Sequence, residues 1–242
     1  MESAPPTNSG PCPPAREGVR QRLLSPAEPA SSGFFRAGAP SSLLAALILL
    51  YVIVFTAHSL YTFLNFGFSA YDAGIHDQAI WKLATGRGLF NTVRGLNVWG
   101  DHCWFVMLFM APLYWLAPHM GTLLGLQSAA LAAGAIPLAA LTHRRTGNPW
   151  AGALMGAAWL LSPALQNMNL ENFHPEVVAA PFLLWAIERA DARRWGGYWT
   201  AFGLALICKE DMALTLFALA AWVFLRHSRR HGAIDLASAS SG

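Results

Sequence analysis

Apolar and polar positions alternate along this chain on the scale of whole helices. Residues 42–64 (SLLAALILLYVIVFTAHSLYTFL) contain no Asp, Glu, Lys or Arg. An apolar run of about 20 residues is long enough to cross the hydrocarbon core of a bilayer as a helix. Further apolar stretches lie at 103–118, 121–142, 150–166, 175–188, 195–208 and 212–225, with Gly, Pro and charged residues at their edges. The pattern predicts an all-α, polytopic transmembrane helix bundle of about six spans, with no internal repeat. Ahead of the first run, residues 1–41 are rich in Pro, Ser, Ala and Gly. Such a segment buries too little apolar surface to offset its ordering entropy, so it is expected to be a disordered cytoplasmic tail. That tail is unlike the short charged region of a cleavable signal, and 42–64 reads as an uncleaved signal-anchor.

Composition supports the class. The chain is 55% hydrophobic and 12% charged, against roughly 25% charged in a soluble domain. The net charge of +3 carries no nucleic-acid signal, because the arginines sit beside apolar runs and act there as topology signals. Cys12, Cys103 and Cys208 lie far apart without ligand spacing and read as two packing residues and a tail thiol.

Topology follows from where Lys and Arg fall, since these residues accumulate on the cytoplasmic side. If 103–118 lies flat on the membrane, the cytoplasmic side receives twelve: Arg16, Arg20, Arg22, Arg36, Arg144, Arg145, Arg189, Arg193, Arg194, Arg226, Arg229 and Arg230. The outer side receives four: Lys82, Arg87, Arg94 and Lys209. If 103–118 crosses, the tally inverts to five inside and eleven outside. The flat arrangement also suits the segment, which is short, rich in Trp, Tyr and Phe, and interrupted by Pro112. The expected protein is therefore multi-pass in the cell membrane with a cytoplasmic N-terminus. Its transmembrane domain covers 42–226, with an outer loop at 65–120 that holds membrane-lying helices near 73–86 and 102–117. A second disordered cytoplasmic tail is expected at 227–242. The last spans are short, so their outer turns are expected to sink below the membrane surface. A hairpin turning at Lys209-Glu210-Asp211 is favoured over one long helix through 197–225, because a charge at the bilayer centre costs about 2.5–3.5 kcal/mol.

This topology sorts the chemistry onto one face. Four polar clusters are extracytoplasmic: YDAGIHDQ (71–78), GDH (100–102), ENFHPE (171–176) and KED (209–211). Ionisable residues held near hydrocarbon are functional by default. Each cluster also has an ordinary reading. Asp72 and Asp77 suit the start of a helix, where a carboxylate favours the dipole. Asp101 and His102 suit a cap, and Lys209 beside Glu210 and Asp211 suits a self-neutralising turn. Pro175 suits a helix start, but His174 and Glu176 are not needed for that. His58 reads as a packed histidine. Asp72 and His76, four apart, share a helix face and form a weak metal pair, and Asp77 stands beside them as a further metal candidate. There is no G-x-x-x-x-G-K-[ST], G-x-S-x-G or H-E-x-x-H, and GRG at 86–88 is too short to count.

The succession YDAGIHDQAIWKLATGRGLF, GDHCWFVMLFMAPLYWLAP, LQSAALAAGAIPLAAL, SPALQNMNLENFHPE and LALICKEDMAL resembles a bacterial family of membrane proteins of unknown function, over about residues 45 to 225. That family in turn distantly resembles the type-C glycosyltransferases. Those enzymes are polytopic and take sugar from a polyprenyl-phosphate donor at the outer membrane face, with an essential acid soon after the first helix. The resemblance implies that Asp72 is the general base for an acceptor hydroxyl and that Lys209, with Arg87 or Arg94, holds the lipid phosphate. His174, Glu176 and Asp101 would position substrate or a divalent ion, with His102, Glu210 and Asp211 lining the same site. It also implies further spans after KED, so a chain ending at RHSRRHGAIDLASASSG reads as a truncated product or a fragment. Two other classes compete. One is a transporter or flippase, which would place charges at mid-depth. The other is a non-catalytic assembly subunit.

Overall fold

The computed structural model describes Phe34 and residues 38–239, with side chains described as far as Arg226. Helix α1 (Ala39–Leu64) begins with Pro40 in its first turn, where a missing N–H has no intrahelical partner to lose. It leaves large apolar residues bare along its length, with Leu49 60% and Ile53 57% exposed. A core helix in a water-soluble protein would bury that face, whereas hydrocarbon tolerates it.

The second long rod is α5 (Met120–Ala133) continued by α6 (Ala135–Thr146). The step between them at Gly134 has a local cause. Pro137 cannot donate to the carbonyl one turn back, and a Cβ on Gly134 would come within 2.8 Å of the Trp159 indole. Trp159 Nε1 donates to the Leu131 carbonyl at 2.8 Å. Among the described residues, these two rods are the helices long and apolar enough to cross a membrane.

The remaining elements are shorter. Pro163 starts a new helix after Ser162, so the expected span 150–166 is divided into α7 (Pro149–Leu160) and α8 (Pro163–Glu171). The stretch NMNLE, expected in an outer loop, is helical as part of α8. A 3-10 turn (Pro175–Val178) leads into α9 (Ala179–Asp191), and α10 (Trp195–Leu206) follows. The chain then breaks at 207–211 and returns as α11 (Met212–Ala239). Val223 and Leu219 of α11 pack with Tyr198 and Ala201 of α10 and Ala186 of α9. The return is thus antiparallel, with Lys209, Glu210 and Asp211 at its turn. The backbone is helical through Ala239, where a disordered tail is expected from 227. Once a helix is nucleated, each added residue fixes one torsion pair and gains one hydrogen bond. The disorder expected for 1–33, 35–37 and 240–242 lies outside the described residues.

The loop at 65–120 is mostly ordered structure. Helix α2 (Ala70–Ala84) starts earlier than the expected 73 because the Ser69 hydroxyl accepts from the Asp72 N–H at 3.4 Å. A two-residue antiparallel pair, β1 (Phe90–Asn91) with β2 (Leu96–Asn97), follows in the register Phe90↔Asn97. The sequence pattern did not show this pair. Its turn is set by the Asn91 side chain, which accepts from the N–H groups of Val93 and Arg94, and by Gly95 at φ 71°. The expected helix 102–117 is divided: α3 (Val98–Asp101) ends before His102, and α4 (Met107–Leu116) begins after it. The largest core cluster lies where α2, α4 and α5 meet the end of α10, around Ile80, Met107, Leu123, Leu124 and Phe173. A second joins α1, α6, α7 and α8.

Candidate functional site

Three of the four polar motifs supply side chains to one cluster, and the fourth closes its edge. His76, on the inward face of α2, is 6% exposed. Its ring lies 5.0 Å from that of Trp104, 5.6 Å from Phe173 and 6.4 Å from His174. His174 and Glu176 flank Pro175 at the start of the 3-10 turn, with His174 Nδ1 4.0 Å from Glu176 Oε1. Lys209 Nζ reaches the same carboxylate at 3.2 Å and Asp211 at 3.7 Å. At the edge, Glu210 takes His102 Nδ1 at 2.6 Å and the Cys103 N–H at 2.9 Å. This carboxylate therefore pins residues 102–103 to the α10–α11 turn, and the Val106 N–H bond to the Ile207 carbonyl, 3.0 Å, seals the joint.

Electrostatics follow from this packing. Burial holds His76 well below its ordinary value, at about 4, although Glu176 and Asp72 pull the other way. The His76 ring makes no side-chain hydrogen bond and at most a weak one to the Asp72 backbone one turn earlier, and His174 Nε2, Glu176 Oε2 and Trp104 Nε1 are buried and unpaired. Burial works against the Lys209 ammonium, but the attraction of Glu176, Asp211 and Glu210 outweighs it and the group titrates above its usual value. The hydrogen bond from His102 lowers Glu210 to about 2.

The other sequence-derived candidates fall into separate places. Asp72 is exposed, one turn before His76 on α2, close enough to act on the His76 charge. Asp101 is committed to Arg94, at 2.6 Å, and Arg94 also donates to Tyr71 Oη at 3.1 Å. Those contacts raise the Arg94 pKa, the Asp101 hydrogen bond first. Arg87 lies over the Trp81 ring, 4.6 Å from its centroid, beyond the far end of α2. Asp77 points a third of a turn away from His76 and accepts from Tyr114 Oη at 2.7 Å. His76 and Asp77 thus serve different surroundings, and among the described residues no three His, Cys, Asp or Glu side chains group to hold a metal ion.

What holds the cluster is a buried amide network that the sequence did not single out. Gln127, in mid-α5, grips both sides of the bend at 172–174. Its Nε2 donates to the Asn172 carbonyl at 2.8 Å, and its Oε1 accepts from the His174 N–H at 2.7 Å. Asn169, one turn upstream, is fixed by four contacts, one of them a longer bond at 3.4 Å from Gln127 Nε2 to its carbonyl. Ser128 donates to its side chain at 3.1 Å, Ser59 of α1 donates to its carbonyl at 3.1 Å, and its amide donates to Tyr51 Oη at 3.4 Å. Isolated polar residues in otherwise apolar runs were the available signal.

The opposite end of the bundle is built differently. Glu188, fully buried, and Asp191, whose side chain is 2% exposed, both lie on α9 and are surrounded by arginines. Glu188 pairs with Arg144 and Arg189, and Asp191 pairs with Arg145 and Arg226, the latter at 3.4 Å. This network ties α6, α9 and α11 together. The sequence reading treated those arginines as topology signals and gave the two carboxylates no role.

The model of a family of predicted membrane proteins of unknown function, DUF2079, matches residues 63–241. The chain belongs to this family. The matched stretch contains all four polar motifs as well as the arginine-bearing helix ends. No curated protein and no solved structure matches the chain. Membership in DUF2079 brings a membrane description and no activity, so the chemistry rests on the side chains themselves.

Proposed function

We propose that this DUF2079 protein transfers a sugar from a polyprenyl-phosphate donor to a hydroxyl-bearing acceptor at the extracytoplasmic membrane face. One observation carries the reading: His76, His174, Glu176 and Lys209, from three distant stretches, meet in one place with buried polar atoms unsatisfied. Structural polar groups are normally paired, whereas a site awaiting substrate leaves donors and acceptors open. Asp72 is the base in this scheme. It is exposed beside the cluster and makes no side-chain hydrogen bond among the described residues. The carboxylate takes the acceptor proton, the acceptor oxygen bonds to the anomeric carbon, and the bond from that carbon to the phosphate oxygen breaks with the electron pair leaving on phosphate. Lys209 receives the phosphate only by exchanging its present carboxylate partners. Arg94 and Arg87, each held elsewhere, have no part in that contact.

The test is transfer of sugar from a polyprenyl-phosphate donor in proteoliposomes. Asp72→Asn is expected to lower transfer by about 10²–10⁴-fold, the range for loss of a general base, while leaving expression unchanged. Undiminished transfer would remove Asp72 from the role. One feature favours a transporter instead: the breaks at 172–178 and 207–211 place short-helix ends around a polar centre. Movement of the intact lipid-linked sugar between leaflets, without transfer, would decide for that class.

A further inference from the structure

We infer that the α9–α10 turn carries a binding site for the phosphate group of an anionic phospholipid, held by Arg193 and Arg194. The site lies at the opposite end of the bundle from His76 and Glu176 and does not use the transfer reading. It starts from a surplus of charge. Arg144, Arg145, Arg189 and Arg226 are ion-paired with Glu188 and Asp191. Arg193 and Arg194 are exposed and make no ion pair among the described residues. Six guanidinium groups thus stand against two carboxylates, and four positive charges are left over among the described residues. Arg194 is close enough to Arg144 for the two charges to repel. The helix ends do not absorb the surplus. The carbonyl ends of α6 and α9 lie at this level beside the amide ends of α7 and α10, and their dipoles offset one another.

Two further observations point outward, to lipid. Arg193 has φ 56°, in the left-handed region, and the Arg194 N–H closes the helix end on the Arg189 carbonyl at 2.9 Å. Helix α6 ends at the same kind of turn with Gly147 at φ 71°, the residue that this conformation favours. At the end of α9 a charged side chain takes the place of glycine at a cost in backbone strain, as happens where a side chain has a task. The second observation is the depth of the turn. Trp150 and Trp195 stand in the first turns of α7 and α10, and Trp199 follows one turn later. Trp222 lies one turn before Arg226, whose guanidinium is 5.0 Å from its ring centroid. All four indoles are exposed, Trp199 by 60%. Indole rings collect at the membrane interface, which sets the neighbouring arginines at the level of the headgroups. There the guanidinium fork matches phosphate oxygens in pairs. An acidic protein surface would suit the charge but would lie against exposed indoles, whereas a phospholipid supplies phosphate and acyl chain together.

The experiment titrates the full chain, in neutral micelles, with phosphatidylglycerol or phosphatidylcholine and counts the retained lipid by native mass spectrometry. Saturable retention of phosphatidylglycerol in preference to phosphatidylcholine is expected, with no displacement by inorganic phosphate. Arg193→Gln combined with Arg194→Gln is expected to weaken retention about thirtyfold, which is about fivefold for each arginine removed from an anionic lipid. Arg193→Gly removes the charge and relieves the strained φ. It is expected to bind about fivefold more weakly while unfolding at the same temperature or a higher one, which separates binding from folding. Arg193→Lys combined with Arg194→Lys keeps the charge, loses the fork and is expected to fall between. Equal retention of the two lipids would overturn the inference, as would undiminished phosphatidylglycerol retention in the double Gln variant. Displacement of the lipid by inorganic phosphate would make this a site for the free ion and would overturn the headgroup assignment.

Discussion

The two ends of the bundle hold similar residues in opposite states. At the α6–α9–α11 end, Glu188 and Asp191 are buried and every carboxylate is matched by guanidinium groups. At the other end, Glu176, His76 and His174 are also sunk into the protein, yet polar atoms on all three stay unpaired. The difference teaches what burial of charge is for in each place. Matched charges fix helices to one another, and stability is what they can supply. Unmatched groups weaken the fold, and in the proposed reading their partner is the substrate.

The largest effect is expected from breaking the matched end. Asp191→Ala strands Arg145 and Arg226, and breaking a buried pair costs about 3–5 kcal/mol. Unfolding in mixed micelles should show that loss, whereas Glu176→Gln at the other end should show much less. Equal losses at the two ends would erase the distinction. Next come the supports. A Cβ at Gly152 would meet the Ala139 carbonyl at 2.7 Å, so Gly152→Ala should destabilise by about 1–3 kcal/mol through overpacking. Gln127→Leu leaves the His174 N–H and Asn172 carbonyl unpaired, for a loss of about 1–3 kcal/mol. It should also lower sugar transfer, because the bend carrying His174 and Glu176 loses its grip. A Gln127→Leu protein with normal transfer would separate the amide network from the site.

Smaller still is a pH effect confined to the unmatched end. The folded protein holds His76 neutral down to about pH 4, against an ordinary value of 6.5. Between those values the unfolded chain takes up more protons, so stability falls as pH drops through the window and is unaffected above it. The groups facing this ring are Asp72, His174 and Glu176. His76→Gln should flatten the acid limb of the unfolding curve, and an unchanged limb would place the acid sensitivity elsewhere. The smallest effect is expected at Asp72. Asp72→Asn at an exposed position should move stability by no more than about 0.5 kcal/mol, so any loss of transfer in that variant is chemical.

Legibility in the sequence tracked distance along the chain. The long apolar rods were visible because a run of residues declares itself locally, and the turn at Lys209-Glu210-Asp211 was visible because three adjacent charges resist mid-helix burial. The motifs HPE and KED were visible as clusters, and side chains from both did come together. Asp101 was assigned to them as well, but its partner Arg94 lies only seven residues away and claims it first. The α9 carboxylates were missed because, within ERADARR, they look like solvated charges. Their partners on α6 lie more than forty residues upstream. Gln127 and Asn169 were missed for a related reason. A single amide in an apolar run looks the same whether it fills space or clamps a distant loop.

The hydroxyl of Ser59 reaches its acceptor, the Asn169 carbonyl, across 110 residues of chain, and Tyr51 meets the Asn169 amide across 118. Helix α1 therefore emerges from the ribosome well before the residue that completes it exists. At about 5–20 residues per second, the interval is roughly 5–20 s. Throughout that time its polar side chains must be borne by water, by lipid headgroups or by the insertion machinery. Assembly of this protein thus has a built-in order, in which the first helix waits half-finished for α8 to arrive.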